Sequence, residues 1–133
     1  MIHEDTLRII HESEAAESEL PGRSMRWLAS AETLEAELLS VCVIRVPPGS
    51  TVNPAHAHPQ GEEFIYLLSG AGRVLVDGRV GEVRAGSGVL FPRQSVHMLQ
   101  NTGEEEMKVV CFFSPPAHPE NYEYHEDVRF PEV

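Results

Sequence analysis

The stretch "NPAHAHPQGEEFIYLLSG", residues 53–70, sets His56 and His58 one residue apart and places Glu62 and Glu63 just beyond them. Residues two apart on an extended chain point to the same side. Pro54 and Pro59 bracket the pair and favour extended backbone, and Ala57 between them is too small to crowd either ring. Two imidazoles one pleat apart can chelate one ion, given a carboxylate nearby and a further ligand from elsewhere in the fold. Glu62 and Glu63 both qualify as that carboxylate; strand parity puts them on opposite faces without saying which face is inside. His97, in the alternating run "VHMLQN" (96–101), offers a third imidazole. Alone it reads as a core-edge histidine with one hydrogen bond, but beside His56 and His58 it reads as a ligand. Three imidazoles and a carboxylate suit one divalent transition metal: iron, manganese, zinc, nickel or copper. Four protein ligands on an octahedral ion leave two positions for water or substrate.

Such a set needs strands to position it, and the middle of the chain supplies them. "LLSVCVIRV" (38–46) and "EFIYLLS" (63–69) are apolar runs, the second closed by Gly70 and Gly72. "RVLVDGRVGEV" (73–83) alternates around Asp77-Gly78, a strong hairpin signal because both turn residues tolerate positive φ. "GVLF" (88–91), "VHMLQN" and "MKVVCFF" (107–113) follow, the last stopped by Ser114-Pro115-Pro116. Six or more short strands between turns rich in Gly and Pro predict an all-β sandwich or closed barrel. "RSMRWL" (23–28) alternates enough for an N-terminal strand, with Trp27 anchoring it to the barrel or to a partner subunit. The only helical candidate is "SAETLEAELL" (30–39), capped by Ser30 and short, since the following strand competes for its end. The expected organisation is an N-terminal arm (1–37), a barrel (38–114) and a C-terminal strap or flap (115–133).

A length of 133 residues suits one domain with a hydrophobic core of its own. No apolar run is long enough to span a bilayer. The acidic N-terminus lacks the apolar core of a secretion signal, so a cytoplasmic location is expected. The net charge of −11 opposes nucleic-acid backbones and anionic membranes as partners. Nine acidic residues fall in 1–37 and eight in 104–133, against four acidic residues and five arginines in 38–103. The acidic ends read as solvated flanks. Cys42 and Cys111 read as buried thiols; a disulfide would require neighbouring strands, and no C-x-x-C is present.

The two donor segments resemble the two sequence motifs of the cupin superfamily. The first, G-x5-H-x-H-x3or4-E-x6-G, is met by Gly49, His56, His58, Glu63 and Gly70, with six residues instead of five after Gly49. The second, G-x5-P-x-G-x2-H-x3-N, is met by Gly86, Pro92, His97 and Asn101, with Gln94 in place of a turn glycine. The fifteen residues between Gly70 and Gly86 are about the shortest spacing that family uses, as in small single-domain microbial cupins. The resemblance implies a jelly-roll barrel with a metal inside its open end, held by His56, His58, Glu63 and His97, and it selects Glu63 over Glu62. It also implies a homodimer. Glu63 pointing inward would carry Ile65 and Leu67 in with it and turn Phe64 and Tyr66 outward. His97 pointing inward would carry Leu99 and Asn101. The metal would then sit in mostly apolar surroundings, suited to a small, partly hydrophobic organic substrate.

The function expected is metal-dependent chemistry on a small molecule: dioxygenase, decarboxylase, isomerase or lyase, with oxidoreductase chemistry slightly favoured and no catalytic residue assigned. The alternative is a non-catalytic small-molecule or sugar-binding module, its metal structural or absent. Metal-free epimerisation would need a His–Asp pair, and Asp5, Asp77 and Asp127 are poorly placed for one. Arg45, Arg73 and Arg93 read as exposed sheet arginines, and Tyr66 as a packing residue. His3 and His11 read as solvated, and His118 and His125 as tail residues, with reach to the mouth the lesser alternative. "GAGRVL" has no following helix to make a dinucleotide site, and neither a nucleophile elbow nor a P-loop is present.

Overall fold

The computed structural model describes residues 6–132; His3 and Asp5 lie outside them. Eleven strands run in chain order: β1 (Glu17–Leu20), β2 (Arg23–Ala29), β3 (Ser40–Val46), β4 (Ala55–Ala57), β5 (Glu62–Ser69), β6 (Ala71–Val76), β7 (Arg79–Arg84), β8 (Gly88–Phe91), β9 (His97–Asn101), β10 (Met107–Ser114) and β11 (Glu123–His125). They form two antiparallel sheets, β1-β2-β3-β10-β5-β8 and β11-β4-β9-β6-β7, which face each other as a jelly-roll barrel.

Parity explains the core. Along β5, Glu63, Ile65 and Leu67 are buried while Glu62, Phe64, Tyr66 and Leu68 are exposed. The inward residues of β5 meet Cys42, Ile44 and Val46 of β3, Val109 and Cys111 of β10, and Val74 and Leu99 from the facing sheet. Met98, on the other face of β9, is buried as well, because Val128 and Phe130 of the tail pack over it and Leu75. Asn101 is fully buried and fully bonded: its Nδ2 donates to Val46 O (2.9 Å) and Glu105 O (2.8 Å), and its Oδ1 accepts from Gly103 N (2.9 Å). It is the knot that fixes the exit of β9 against two loops.

The ends of the chain add strands to both sheets. β1 and β2 form a hairpin on β3, with Trp27 packed on Phe113 at 5.8 Å between ring centres. β11 pairs with β4, setting Tyr124 opposite His56. Ser40 Oγ accepts from Ala117 N (2.9 Å) and ties the start of the tail to β3.

Several expectations are corrected. Residues 30–39 form turns and no helix, and β3 begins at Ser40, not at 38. Ser30 does cap, its Oγ accepting from Thr33 N at 3.0 Å, but Leu34 (φ 65) and Glu35 (φ 51) then leave helical space. The acidic N-terminal flank is not simply solvated. Glu12 bonds Arg45 at 2.7 Å and Lys108 at 2.8 Å, and these two cations, Lys108 first, hold its carboxyl below the usual range. Cys42 and Cys111, by contrast, are buried thiols as expected, although their strands are neighbours and the two residues are directly paired.

The Asp77-Gly78 turn has positive φ at both residues (47° and 82°), as a two-residue hairpin requires. Gln94 has φ 71°, a left-handed conformation that costs a side-chain-bearing residue about 1–2 kcal/mol. Its backbone N–H donates to His58 O (3.1 Å), so the loop cannot relax without disturbing the histidine pair. Gln94→Gly is therefore expected to raise unfolding free energy by about 0.5–1 kcal/mol after the glycine's own entropy cost, measured by urea titration.

Candidate metal centre

Three short pieces of chain bring the donors together. β4 carries His56 and leads straight into His58; β5 begins with Glu62 and carries Glu63; β9 opens on His97. His56 is the direct cross-strand partner of His97. Glu63 enters from the opposite sheet, on the same inward face as Ile65 and Leu67. Candidate ligand atoms from His56, His58, Glu63 and His97 all lie within 4.8 Å of one another. Glu62 lies on the exposed face of β5 and is not part of the cluster.

The tautomers of two rings follow from their partners. His56 Nδ1 lies 3.1 Å from Pro54 O, and His97 Nδ1 lies 3.0 Å from Ser95 O. A carbonyl only accepts, so each Nδ1 carries a proton and each ring turns its Nε2 toward the cluster. Glu63 Oε1 stands 3.1 Å from His97 Nε2 and 3.0 Å from His58 Nε2. A lone pair facing a carboxylate oxygen at that distance needs positive charge between them, a proton or a metal ion. His58 Nδ1 is buried without a partner among the described residues. The donor set fits a divalent cation: one negative oxygen and three imidazoles, two of them oriented by backbone carbonyls.

Burial opposes ionisation of Glu63, but the hydrogen bonds with His58 and His97 outweigh it and hold the carboxyl well below its ordinary range. Burial, reinforced by the neighbouring His97, pushes the His56 imidazole down to about 4. Aromatic rings wedge the imidazoles in place. Phe91 stacks on His97 at 4.1 Å, and Tyr122 stacks on His56 at 5.5 Å while meeting His58 edge-on at 4.2 Å. Burial, then the charge of Glu63, raises the Tyr122 phenol, so it keeps its proton at any ordinary pH.

A cavity of about 340 Å³ opens on His56 and Glu63, walled by the β1–β2 hairpin, the barrel floor and Tyr122 and Tyr124 of the tail. Beyond Tyr122 a second hollow of about 190 Å³ lies against His58 and includes His118. His125 reaches neither; its Nε2 faces Glu123 at 3.7 Å. Cys42 and Cys111 lie on the floor of the larger cavity, and contact with Cys42, together with burial, raises the Cys111 thiol, leaving it unreactive. Arg45 is bound to Glu12 and Glu106 on the outside, Arg73 lies over Phe130, and Arg93 and Tyr66 are exposed. The cation that does line the cavity is Arg23, which motif reading did not single out, nor did it single out Tyr122 and Tyr124. The signal for Arg23 was available: it shares the strand face of Met25 and Trp27.

The profile of the Cupin domain family matches residues 42–113. The chain is 30% identical over 128 residues to polyketide synthase CurC of Streptomyces cyaneus, covering 95% of this chain and 80% of that one. It is 29% identical over 105 residues to the tetracenomycin polyketide synthase protein TcmJ of Streptomyces glaucescens, covering 79% of this chain and 70% of that one. Among solved structures, a predicted oxalate decarboxylase from Thermotoga maritima superposes with a TM-score of 0.72 at 22% identity, over 80% of this chain and 98% of that one.

The depressed His56 fixes the sign of one pH effect. The unfolded chain takes up a proton on this residue near its ordinary value of 6.5, whereas the folded protein does so only near 4. The unfolded state binds more protons in that window, so stability rises with pH there. Metal-free protein should lose thermal stability as pH falls from about 6.5 to 4, and lose more below the ordinary carboxylate range as unfolded Glu63 protonates. Thermal midpoints across that range measure it, and His56→Gln should flatten the upper part.

Proposed function

We propose that this chain, which belongs to the cupin family, is a metal-dependent enzyme acting on a small organic molecule, with His56, His58, Glu63 and His97 holding one divalent transition metal. The observation that carries the reading is the meeting of that donor set with a cavity large enough for a substrate. A purely structural cation would be better served by a filled barrel. When bound, the metal supplies Lewis acidity to a carbonyl or enolic oxygen and an open coordination position. The chain's own part is to orient two imidazoles through Pro54 O and Ser95 O and to balance the metal's charge with Glu63. The Tyr122 phenol holds a proton beside the cluster.

Oxidative, decarboxylating, isomerising and lyase chemistries all fit these ligands. The likeness to CurC and TcmJ, each covered over most of its length, favours a substrate of the polyketide type. Such a substrate suits a cavity walled by Met25, Trp27, Ile44 and Tyr122.

The active form is proposed to be a homodimer. Phe64, Tyr66 and Leu68 of β5 stand exposed beside Leu90 of β8 and Phe112 of β10, in register across one sheet face. A contiguous apolar row of this kind marks an interface, and a second copy offers the same row to it.

Protein purified without added metal should carry close to one transition metal per chain by elemental analysis. His97→Ala should lower metal affinity at least tenfold, by comparison with the losses from weaker outer-shell changes; unchanged metal content in that variant removes the basis of the reading. Sedimentation should give a dimer for the native chain and a monomer for Phe112→Glu.

A further inference from the structure

The wall of the larger cavity contains one cation, Arg23, on β2. Its Nη1 donates to Pro21 O (3.0 Å) and Asn53 O (3.2 Å), which pins the guanidinium at the seam between the N-terminal hairpin and the loop before β4. Among the described residues no carboxylate pairs with it, and no hydrogen bond is made by Nε or Nη2. Arginine–carboxylate pairs form elsewhere instead: Arg26 with Glu17, and Arg45 with Glu12 and Glu106. The one carboxylate lining the same cavity, Glu63, is engaged by His58 and His97. Arg23 is partly buried, and that burial lowers its pKa, the expected response of a cation partly withdrawn from water without a counter-charge.

A guanidinium stays charged and its desolvation is costly unless an anion meets it. Its unengaged Nε–Nη2 edge matches a planar carboxylate or an enolate–carbonyl pair. The wall on the same strand face is Met25 and Trp27; Tyr122 stands across the cavity, and Ile44 and Val52 form the floor. That is a slot for a flat, largely apolar body with acidity at one end. About 340 Å³ accommodates two or three fused rings.

We propose that Arg23 is the substrate-anchoring residue of this cavity, and that the ligand class is a planar aromatic or polyenic acid. Its anionic oxygens sit on the Arg23 fork, its ring system lies against Trp27 and Tyr122, and its far end faces His56 and Glu63. This rests on the reading of the cavity as the substrate site, and it assigns to that site a charge requirement that the metal ligands alone do not impose.

The probe pair is 2-naphthoate and its neutral counterpart 2-naphthamide, titrated into metal-free and zinc-loaded protein. Calorimetry gives the affinities, and the indole N–H resonance of Trp27, the only tryptophan in the chain, reports where the ring lies. The acid should bind about 10- to 100-fold more tightly than the amide in both forms, the range expected for charge-assisted hydrogen bonds, and should shift the Trp27 resonance. Arg23→Gln should bring the two affinities together. Arg23→Lys, which keeps the charge and loses the fork, should retain part of the preference, so the test stands even where the glutamine variant is less stable. Equal affinities in the native protein overturn the proposal, as does a preference that survives Arg23→Gln. A preference seen only with zinc and lost in His97→Ala places the carboxylate on the metal, overturning the role of Arg23 while sparing the metal site. If the native chain takes up no zinc and the preference is still present, Arg23 is upheld and the metal reading is removed instead.

Discussion

One carboxylate held between imidazoles inside a barrel governs this structure. Glu63 is buried and ionised, so it must be matched by positive charge close at hand, and its Oε1 reaches His58 and His97 at 3.0 and 3.1 Å. That match exists only when the two sheets are closed on each other, because Glu63 comes from one and His56 and His97 from the other. Closure of the barrel and assembly of the cluster are thus the same event. The backbone carbonyls of Pro54 and Ser95 add direction, aiming two Nε2 atoms inward before any ion arrives.

The barrel and its donor cluster were largely legible from residue order. Alternation along 63–69 and 97–101 determines which side chains enter the core, and Glu63, Ile65, Leu67, His97, Leu99 and Asn101 are all buried. Asp77-Gly78 marks its hairpin because few other pairs accept two positive φ values. What escaped reading depends on distant segments meeting. Nothing local in "PENYEYH" says that Tyr122 will stack on His56, since this is decided by β11 adding to β4. The helical pattern at 30–39 does not persist either: Ser30 caps Thr33, but Leu34 and Glu35 turn to positive φ and the chain leaves helical space before β3 begins. The pairing of Cys42 with Cys111 likewise depends on which strands become neighbours, a matter of topology beyond any short window.

Charge is distributed with the same economy. The acidic ends of the chain are not a uniform solvated coat, for Glu12 bridges Arg45 and Lys108 across β3 and β10 and clips the N-terminal segment to the outside of the larger sheet. Arg26 adds two bonds to carbonyls of that segment, Glu12 O at 2.8 Å and Ala15 O at 3.0 Å. The hairpin behind it is thereby held where Arg23, Met25 and Trp27 become a cavity wall.

The donor cluster comes from residues 56–97, whereas two walls of the chamber in front of it come from flanking segments: Arg23, Met25 and Trp27 of β2, and Tyr122 and Tyr124 of the tail. Those two walls contain none of the donors, although His56 and Glu63 open on the same chamber. A lineage built this way can redraw those two walls by drift or insertion in the flanking segments while the donor cluster is inherited intact. The shape of the chamber would then diversify faster than the donors at its end.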